Sequence, residues 1–380
     1  MAARISAYYS ASVRRVNTGK NELSGVLRHS LQFGFCVPIF ALPGGALFRT
    51  PNFSKLDCQI ALRSARMAET LGYDSIWVAD HLMLGEGQSI LEGWTTLSAI
   101  AGMTNHAKLG LIHQGHYFRT PSVVAKMIAT LDQISGGRFI FFADTGLGLN
   151  EHRAYGLNYP ENAEERIQEF LEGLDLIMQL WQTSEELPLN FDGDYYQVNN
   201  AVCKPSTVTQ PHPPIWFGEA HALTFDAAAR LGQGWNSVPV GLAVMQQRLA
   251  ALREACNRVG RSYCELEISY ELQILIAPTR TAVREKLQVI SALGPVSSAT
   301  QQEPDFLAFL ANASDEYPRY LTETGLVGTP DEIRVQLQRY INIGVSHFLL
   351  WFLDAPDIDG MQLFMDQVVP MFRPVQFSEG

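Results

Sequence analysis

The sequence predicts an α/β fold, a single eight-stranded (β/α)8 TIM barrel with insertions after strands four and seven. From Leu31 onward, short β-rich runs alternate with longer runs of helical spacing, the order that parallel strands joined by crossover helices require. The β-rich runs number eight, the count of a closed barrel. No G-x-G-x-x-G opens the first helix, and "TGLGLNE" at Thr145–Glu151 lacks the third glycine, so a doubly wound dinucleotide-binding sheet is the weaker reading.

The predicted strands, in order, are Gln32–Val37, Ser75–Ala79, Lys108–His113, Arg138–Asp144, Pro214–Gly218, Gly234–Val238, Glu267–Ile276 and His347–Phe352. Between them, "SKLDCQIALRSARMAETLG", "VVAKMIATLDQI", "ERIQEFLEGLDLIMQLW", "LAVMQQRLAALREACNRVG" and "DEIRVQLQRYINIG" keep apolar residues at helical spacing and belong on the barrel's outside. Gly72 and Gly344 suit left-handed helix ends, and "GTPDEI" places Thr329 and Pro330 at a helix start followed by acids.

Two connections are too long for a minimal barrel. Gln182–Pro213 carries a hairpin with its turn at Asp192-Gly193-Asp194, then a proline-rich stretch; Gly294–Val327 is expected to be a helical excursion covering the mouth. The barrel is assigned to 32–373, with residues 1–31 a disordered extension and 374–380 a short tail.

With 47% hydrophobic and 18% charged residues, the chain can bury a sizeable core. A formal charge of -11 without a basic face argues against nucleic acid and anionic membranes as partners. Five cysteines without a C-x-x-C pair suggest neither a disulfide framework nor a zinc site, and a cytoplasmic, reducing location fits. No run reaches the apolar length of a membrane helix.

On this architecture chemistry sits at the C-terminal strand ends. There the sequence offers Asp80-His81, then His113 to His116, Asp144-Thr145-Gly146, Gly218 to His221, Asn236 and Asp354. A histidine at a strand end is by default a hydrogen-bonded rim residue, and Asp after a strand is a common surface cap. Metal-dependent hydrolysis through His81, His113, His116 and Asp144 is the second reading; against it, "HQGH" would send its histidines in different directions from an extended backbone. "PPIWFGEAHALTFDAAARLG" runs from a strand into a helix whose first N–H groups attract phosphate, although an ordinary strand-to-helix turn reads the same way. Glu219 would repel an anion there unless its side chain points away.

"GYDSIWVADHL", "RTPSVVAKMIATLDQISGGRFIFFADTG", "GDYYQV…KPSTVTQPHPPIWFGE…AAARLGQGW" and "GTPDEI…YINIGVSHFLLWF" together resemble the bacterial luciferase-like superfamily, in order, over residues 32–373. The resemblance implies a TIM barrel that binds FMN or the deazaflavin coenzyme F420 and acts on a small-molecule substrate, as a monooxygenase or a hydride-transferring oxidoreductase. No metal is implied.

His81 falls on the histidine that faces the ring's reacting edge in F420-dependent glucose-6-phosphate dehydrogenases, and it is the catalytic candidate, with Asp80 holding its tautomer if the two side chains meet. Ile112 and His113 match the strand-three pair behind the ring, where the family often has a cis peptide. Thr145, Gly146 and Asn150 fall on the "TG…NE" motif, and Gly218, Glu219, Ala220 and His221 on the phosphate loop. Trp94, His116, Tyr117 and Trp351 are candidates for the substrate side.

Departures narrow the expectation. Leu147 stands where the sugar-phosphate dehydrogenases have a glutamate, and Gly85 where they have a tryptophan, which argues against that substrate. Thr145 replaces a phosphate-binding arginine of true luciferases, and Glu219 replaces a small residue. The resemblance also implies a homodimer. A barrel that binds the cofactor without turnover is the remaining alternative.

Overall fold

A computed structural model describes residues 29–44, 48–146, 148–294 and 303–373. The extension up to residue 28, Leu147, the first part of the second insertion (295–302) and the tail 374–380 lie outside the described residues.

The barrel strands are β1 (Gln32–Cys36), β2 (Ser75–Ala79), β3 (Lys108–Ile112), β5 (Phe139–Asp144), β8 (Ile215–Phe217), β9 (Gly234–Ser237), β10 (Glu267–Ile276) and β12 (His347–Phe352). All are parallel: β12 pairs β1, the ladder proceeds through β2, β3, β5, β8 and β9, and β9 pairs β10, which returns to β12 and closes the circle. The expected strands stand within one or two residues of these bounds. The third differs in kind: the Ile112–His113 peptide bond is cis, β3 ends there, and the chain resumes as β4 (Gln114–Gly115) beside β5.

Two short strands, β6 (Leu189–Asp192) and β7 (Gln197–Ala201), form the antiparallel hairpin of the first insertion, and its turn spans Gly193–Tyr196 rather than residues 192–194 alone. Glu172 holds that turn by accepting from the N–H groups of Asp194, Tyr195 and Tyr196. The second insertion ends in β11 (Gly325–Gly328), which adds to β10 and has no counterpart in the expected strands.

The outer helices follow the apolar spacing. In α1 (Cys58–Leu71) the buried residues are Ala61, Ser64, Ala65 and Ala68, one face of a 3.6-residue period. Its ends are specified locally: Asp57 accepts from Gln59 and Ile60, and Gly72, at φ 90°, closes the last turn. Next come α2 (Gly93–Met103), α3 (Pro121–Ser135), the short α4 (Leu149–Ala154), α5 (Ala163–Leu180), α6 (Ala222–Leu231), α7 (Leu242–Arg258) and α8 (Arg280–Ala292). The second insertion contributes α9 (Pro304–Leu310) and α10 (Arg319–Thr324). Helix α11 (Pro330–Ile341) starts where Thr329 and Pro330 were expected to place it, with Thr329 and Glu332 forming a capping box, and α12 (Asp359–Gln367) follows β12. Among the described residues no helix is long and apolar enough to cross a membrane.

The barrel interior is filled by matching large residues to small ones. Trp77 and Trp216 meet with ring centroids 5.2 Å apart. Gly34, Gly110 and Gly234 leave their space, since a Cβ on any of the three would strike one of the two indoles. Burying each such ring is worth roughly 3 kcal/mol in transfer alone. The bottom is polar but satisfied: Trp77 Nε1 donates to Ser75 Oγ, which pairs with His347 Nε2, while His347 Nδ1 faces Glu267, all at 2.7–2.8 Å. A second apolar cluster, with Phe306, Phe309 and Leu321 against Leu275 and Val327, anchors the second insertion to the upper part of β10.

Candidate active site

Strand alternation sends every second side chain inward, so the upper interior is built from β3, β5, β9, β10 and β12 together. Glu271 of β10 lies there, 1% exposed, and takes three cationic or donor groups: Trp351 Nε1 at 2.6 Å, Arg49 Nη2 at 3.2 Å and His113 Nε2 at 3.4 Å. The other nitrogen of His113 meets Asp144 Oδ2 at 3.0 Å. Burial alone would lower the His113 pKa, but its two carboxylate partners outweigh that and raise it to about 9. Burial would raise the Glu271 carboxyl, yet Arg49, His113 and Trp351 bring it down to about 2. His113 is therefore an imidazolium between two carboxylates at neutral pH.

Gly218 packs on this pair: a Cβ there would strike Asp144 Oδ2 and come within 3.1 Å of His113 Nδ1. Beside it, Thr145 Oγ1 donates to Glu219 Oε2 at 2.9 Å, and Gly146 N–H donates to Asp144 at 2.8 Å. Burial, followed by the Asp144 charge, raises the Glu219 carboxyl above its usual range.

His81, at the end of β2, keeps 23% of its side chain exposed. Its Nδ1 faces Glu151 Oε1 at 2.9 Å, and the other Glu151 oxygen accepts from Leu82 N at 2.7 Å and Met83 N at 3.1 Å. Burial would raise Glu151, but the bonds from His81, Leu82 and Met83 hold it below the ordinary carboxylate range. An ionised Glu151 fixes the proton on Nδ1 and leaves Nε2 free to accept or, once protonated, to donate.

The sequence pairs His81 with its neighbour Asp80, whereas the structure pairs it with Glu151. Asp80 is buried and taken up by Arg119, Nη1 to Oδ2 and Nη2 to Oδ1, both at 2.9 Å, and by Gly115 N–H at 3.1 Å. Burial raises the Asp80 carboxyl even against that guanidinium. Both of its oxygens face Arg119, and His81 turns to Glu151 instead.

Trp94, His116 and Tyr117 are packed away from the mouth. Trp94 stands on α2, 4% exposed, against Phe139 at 5.5 Å. His116 points into the space between α5 and the hairpin, where Nε2 meets Tyr196 Oη at 2.8 Å and burial lowers its pKa to about 3. Tyr117 donates its hydroxyl to the Arg166 carbonyl at 2.7 Å. Ile112 is buried, whereas Ala220 and Asn150 are exposed. His221 caps its own helix: Nδ1 accepts from Leu223 N–H at 3.2 Å, and its N–H donates to Thr224 Oγ1. Trp351 is inside the barrel, on Glu271.

The metal reading loses its geometry. His81, His113 and His116 face Glu151, Asp144 with Glu271, and Tyr196 respectively, and the described residues contain no group of three or more His, Cys, Asp or Glu side chains placed to hold a metal ion.

Sequence reasoning missed Glu151, Glu271, Arg49 and Arg119. Glu271 left one signal, an acid at an inward position of the apolar strand "EISYELQILI".

A closed barrel of parallel strands with buried ionic groups gathered at its C-terminal mouth defines the class as a TIM-barrel enzyme scaffold. The sequence profile of the luciferase-like monooxygenase family matches residues 43–347, and the chain belongs to that family. An F420-dependent glucose-6-phosphate dehydrogenase of Kineococcus radiotolerans is 29% identical over 323 residues, covering 82% of this chain and 92% of the relative. One of Microbacterium testaceum is 25% identical over 320 residues, covering 81% and 91%. Among solved structures, the coenzyme F420-dependent tetrahydromethanopterin reductase of Methanopyrus kandleri superposes with TM-score 0.67 at 20% identity, covering 90% of this chain and all of that one. A long-chain alkane monooxygenase gives TM-score 0.72 at 16% identity, covering 92% and 94%. These two likenesses bear on the fold.

Proposed function

We propose that the protein is an oxidoreductase that holds FMN or coenzyme F420 at the barrel mouth and acts on a small organic substrate, with His81 as the proton donor or acceptor. Family membership and the names of the curated relatives support the cofactor class, and the F420-dependent dehydrogenases among them favour the deazaflavin. The observation that carries the acid–base role is the Glu151–His81 bond, which leaves Nε2 as the working nitrogen on a partly exposed ring.

The residues present fit such a group. Asn236 Oδ1, buried inside the barrel near the end of β9, has no partner among the described residues and is an acceptor for a ring N–H. At the phosphate end, Gly218 leaves the loop after β8 open to close approach, while His221 already occupies the Leu223 N–H and Glu219 accepts from Thr145. When bound, a flavin or deazaflavin supplies the hydride or oxygen chemistry that side chains lack. The protein's part is to orient reactants, exclude water and move one proton at His81 Nε2.

A sugar phosphate is not the favoured substrate. Gly85 has φ 79°, and a Cβ there would lie 2.7 Å from the Ala41 carbonyl, so the tryptophan of the sugar-phosphate enzymes has no room at this position. A cytoplasmic homodimer belongs to the same reading. The test is His81→Ala: cofactor binding should persist while turnover falls about 10²-fold or more. Unchanged turnover would remove His81 from the chemistry and favour a barrel that only binds.

A further inference from the structure

Arg49 belongs to the long loop after β1, and several features fix it over the mouth. Its backbone is left-handed, φ 55°, a region a non-glycine residue enters only when its surroundings hold it there. Its N–H donates to the Gln273 side chain of β10. Its guanidinium lies over the Phe48 ring at 4.8 Å and the Trp351 ring at 5.1 Å. The side chain keeps 16% exposure, while Glu271 beneath it has 1%. The anion is thus the buried member of the pair and the cation faces the opening.

The pair leaves most of the guanidinium unused. Among the described residues, Arg49 makes one ion pair, Nη2 to Glu271 Oε1 at 3.2 Å, and no side-chain hydrogen bond. A guanidinium has five N–H donors in a planar fork that matches an oxyanion. Glu271 is kept in place independently by Trp351 Nε1 and His113 Nε2, so it remains a fixed support while the other face of Arg49 engages something else.

We propose that Arg49 binds an anionic oxygen group of the substrate, a carboxylate or an equivalent oxyanion, so that the protein acts on a small organic acid whose apolar body lies against the half-buried Phe48. The inference rests on the oxidoreductase reading above and adds the substrate class to it. His113, with both ring nitrogens committed to carboxylates, takes no part in contacting the acid. It acts through Glu271.

The probe is benzoate, with benzyl alcohol as its neutral counterpart and benzenesulfonate and phenylphosphonate as alternative oxyanions. Binding is read by tryptophan fluorescence and calorimetry on wild-type protein, Arg49→Met and Arg49→Lys. Wild type should favour benzoate over benzyl alcohol by at least tenfold, about 1.4 kcal/mol. Arg49→Met should lose that preference, and Arg49→Lys should recover part of it. The order of the three oxyanions shows which one the fork prefers. Equal binding of benzoate and benzyl alcohol by wild type, or an undiminished preference in Arg49→Met with a native circular dichroism spectrum, overturns the proposal. Titrating the same proteins with FMN and F420 separates the two readings. If neither cofactor binds wild type, the oxidoreductase reading falls while the benzoate preference stands or falls by itself. If Arg49→Met alone abolishes cofactor binding, the guanidinium serves the cofactor and the substrate assignment is overturned.

Discussion

Glu151, on the first turn of α4, reaches back to His81 at the end of β2 and pairs with its Nδ1 at 2.9 Å, while its second oxygen ties down the two N–H groups that follow the histidine. One carboxylate therefore sets both the tautomer of the ring and the path of the chain carrying it.

Removing that carboxylate should cost stability and turnover together. Glu151→Ala leaves the Leu82 and Met83 N–H groups without their acceptor, a loss of about 1–3 kcal/mol by denaturant unfolding. Turnover should drop at least tenfold, because Nδ1 no longer holds its proton in one place. Glu151→Gln keeps an acceptor oxygen and should recover part of the stability.

The His113 clamp predicts a pH signature with a definite sign. Its pKa is raised from the ordinary 6.5 to about 9, so its contribution to stability is complete below pH 6.5 and is lost as pH rises through 9. Glu271 is depressed from 4.5 to about 2, so its contribution is present above pH 4.5 and lost as pH falls through 2. The difference in melting temperature between wild type and His113→Gln should be largest between about pH 4.5 and 6.5 and shrink by pH 10. A difference that grows toward alkaline pH would contradict the clamp.

Arg119→Met strands Asp80, buried at 2% exposure, without its bidentate partner. The expected destabilisation is about 3–5 kcal/mol, and adding Asp80→Asn should restore part of it. Chemical denaturation of the two single variants and the double variant measures this directly.

Gly218→Ala places a methyl group against Asp144 Oδ2 and within 3.1 Å of His113 Nδ1. We expect roughly 1–3 kcal/mol of destabilisation and a weakened His113–Asp144 bond, seen as an upfield move of the imidazole N–H proton by NMR.

The barrel was legible because its signals are local. Strand runs, helical spacing, the Gly72 cap and the Thr329-Pro330 helix start are each written within one or two turns of chain, and each stands where the sequence places it. The site was legible only as a rim of polar strand ends. Which carboxylate faces which imidazole is decided between strands: Glu151 is 70 residues from His81, and Glu271 is 158 from His113. Adjacency in sequence misled at Asp80, since successive residues of an extended chain point to opposite sides. Trp94, His116 and Tyr117 lie close to the rim in sequence, but their side chains turn into packing with Phe139, Tyr196 and Arg166.

The most direct test of a redox ring at this mouth is an equilibrium titration of purified protein with FMN and with coenzyme F420, followed in the cofactor's own absorbance and fluorescence. Saturable binding of one of the two is expected, with at least a tenfold preference and unaffected by metal ions or chelators. No perturbation of either spectrum would contradict it.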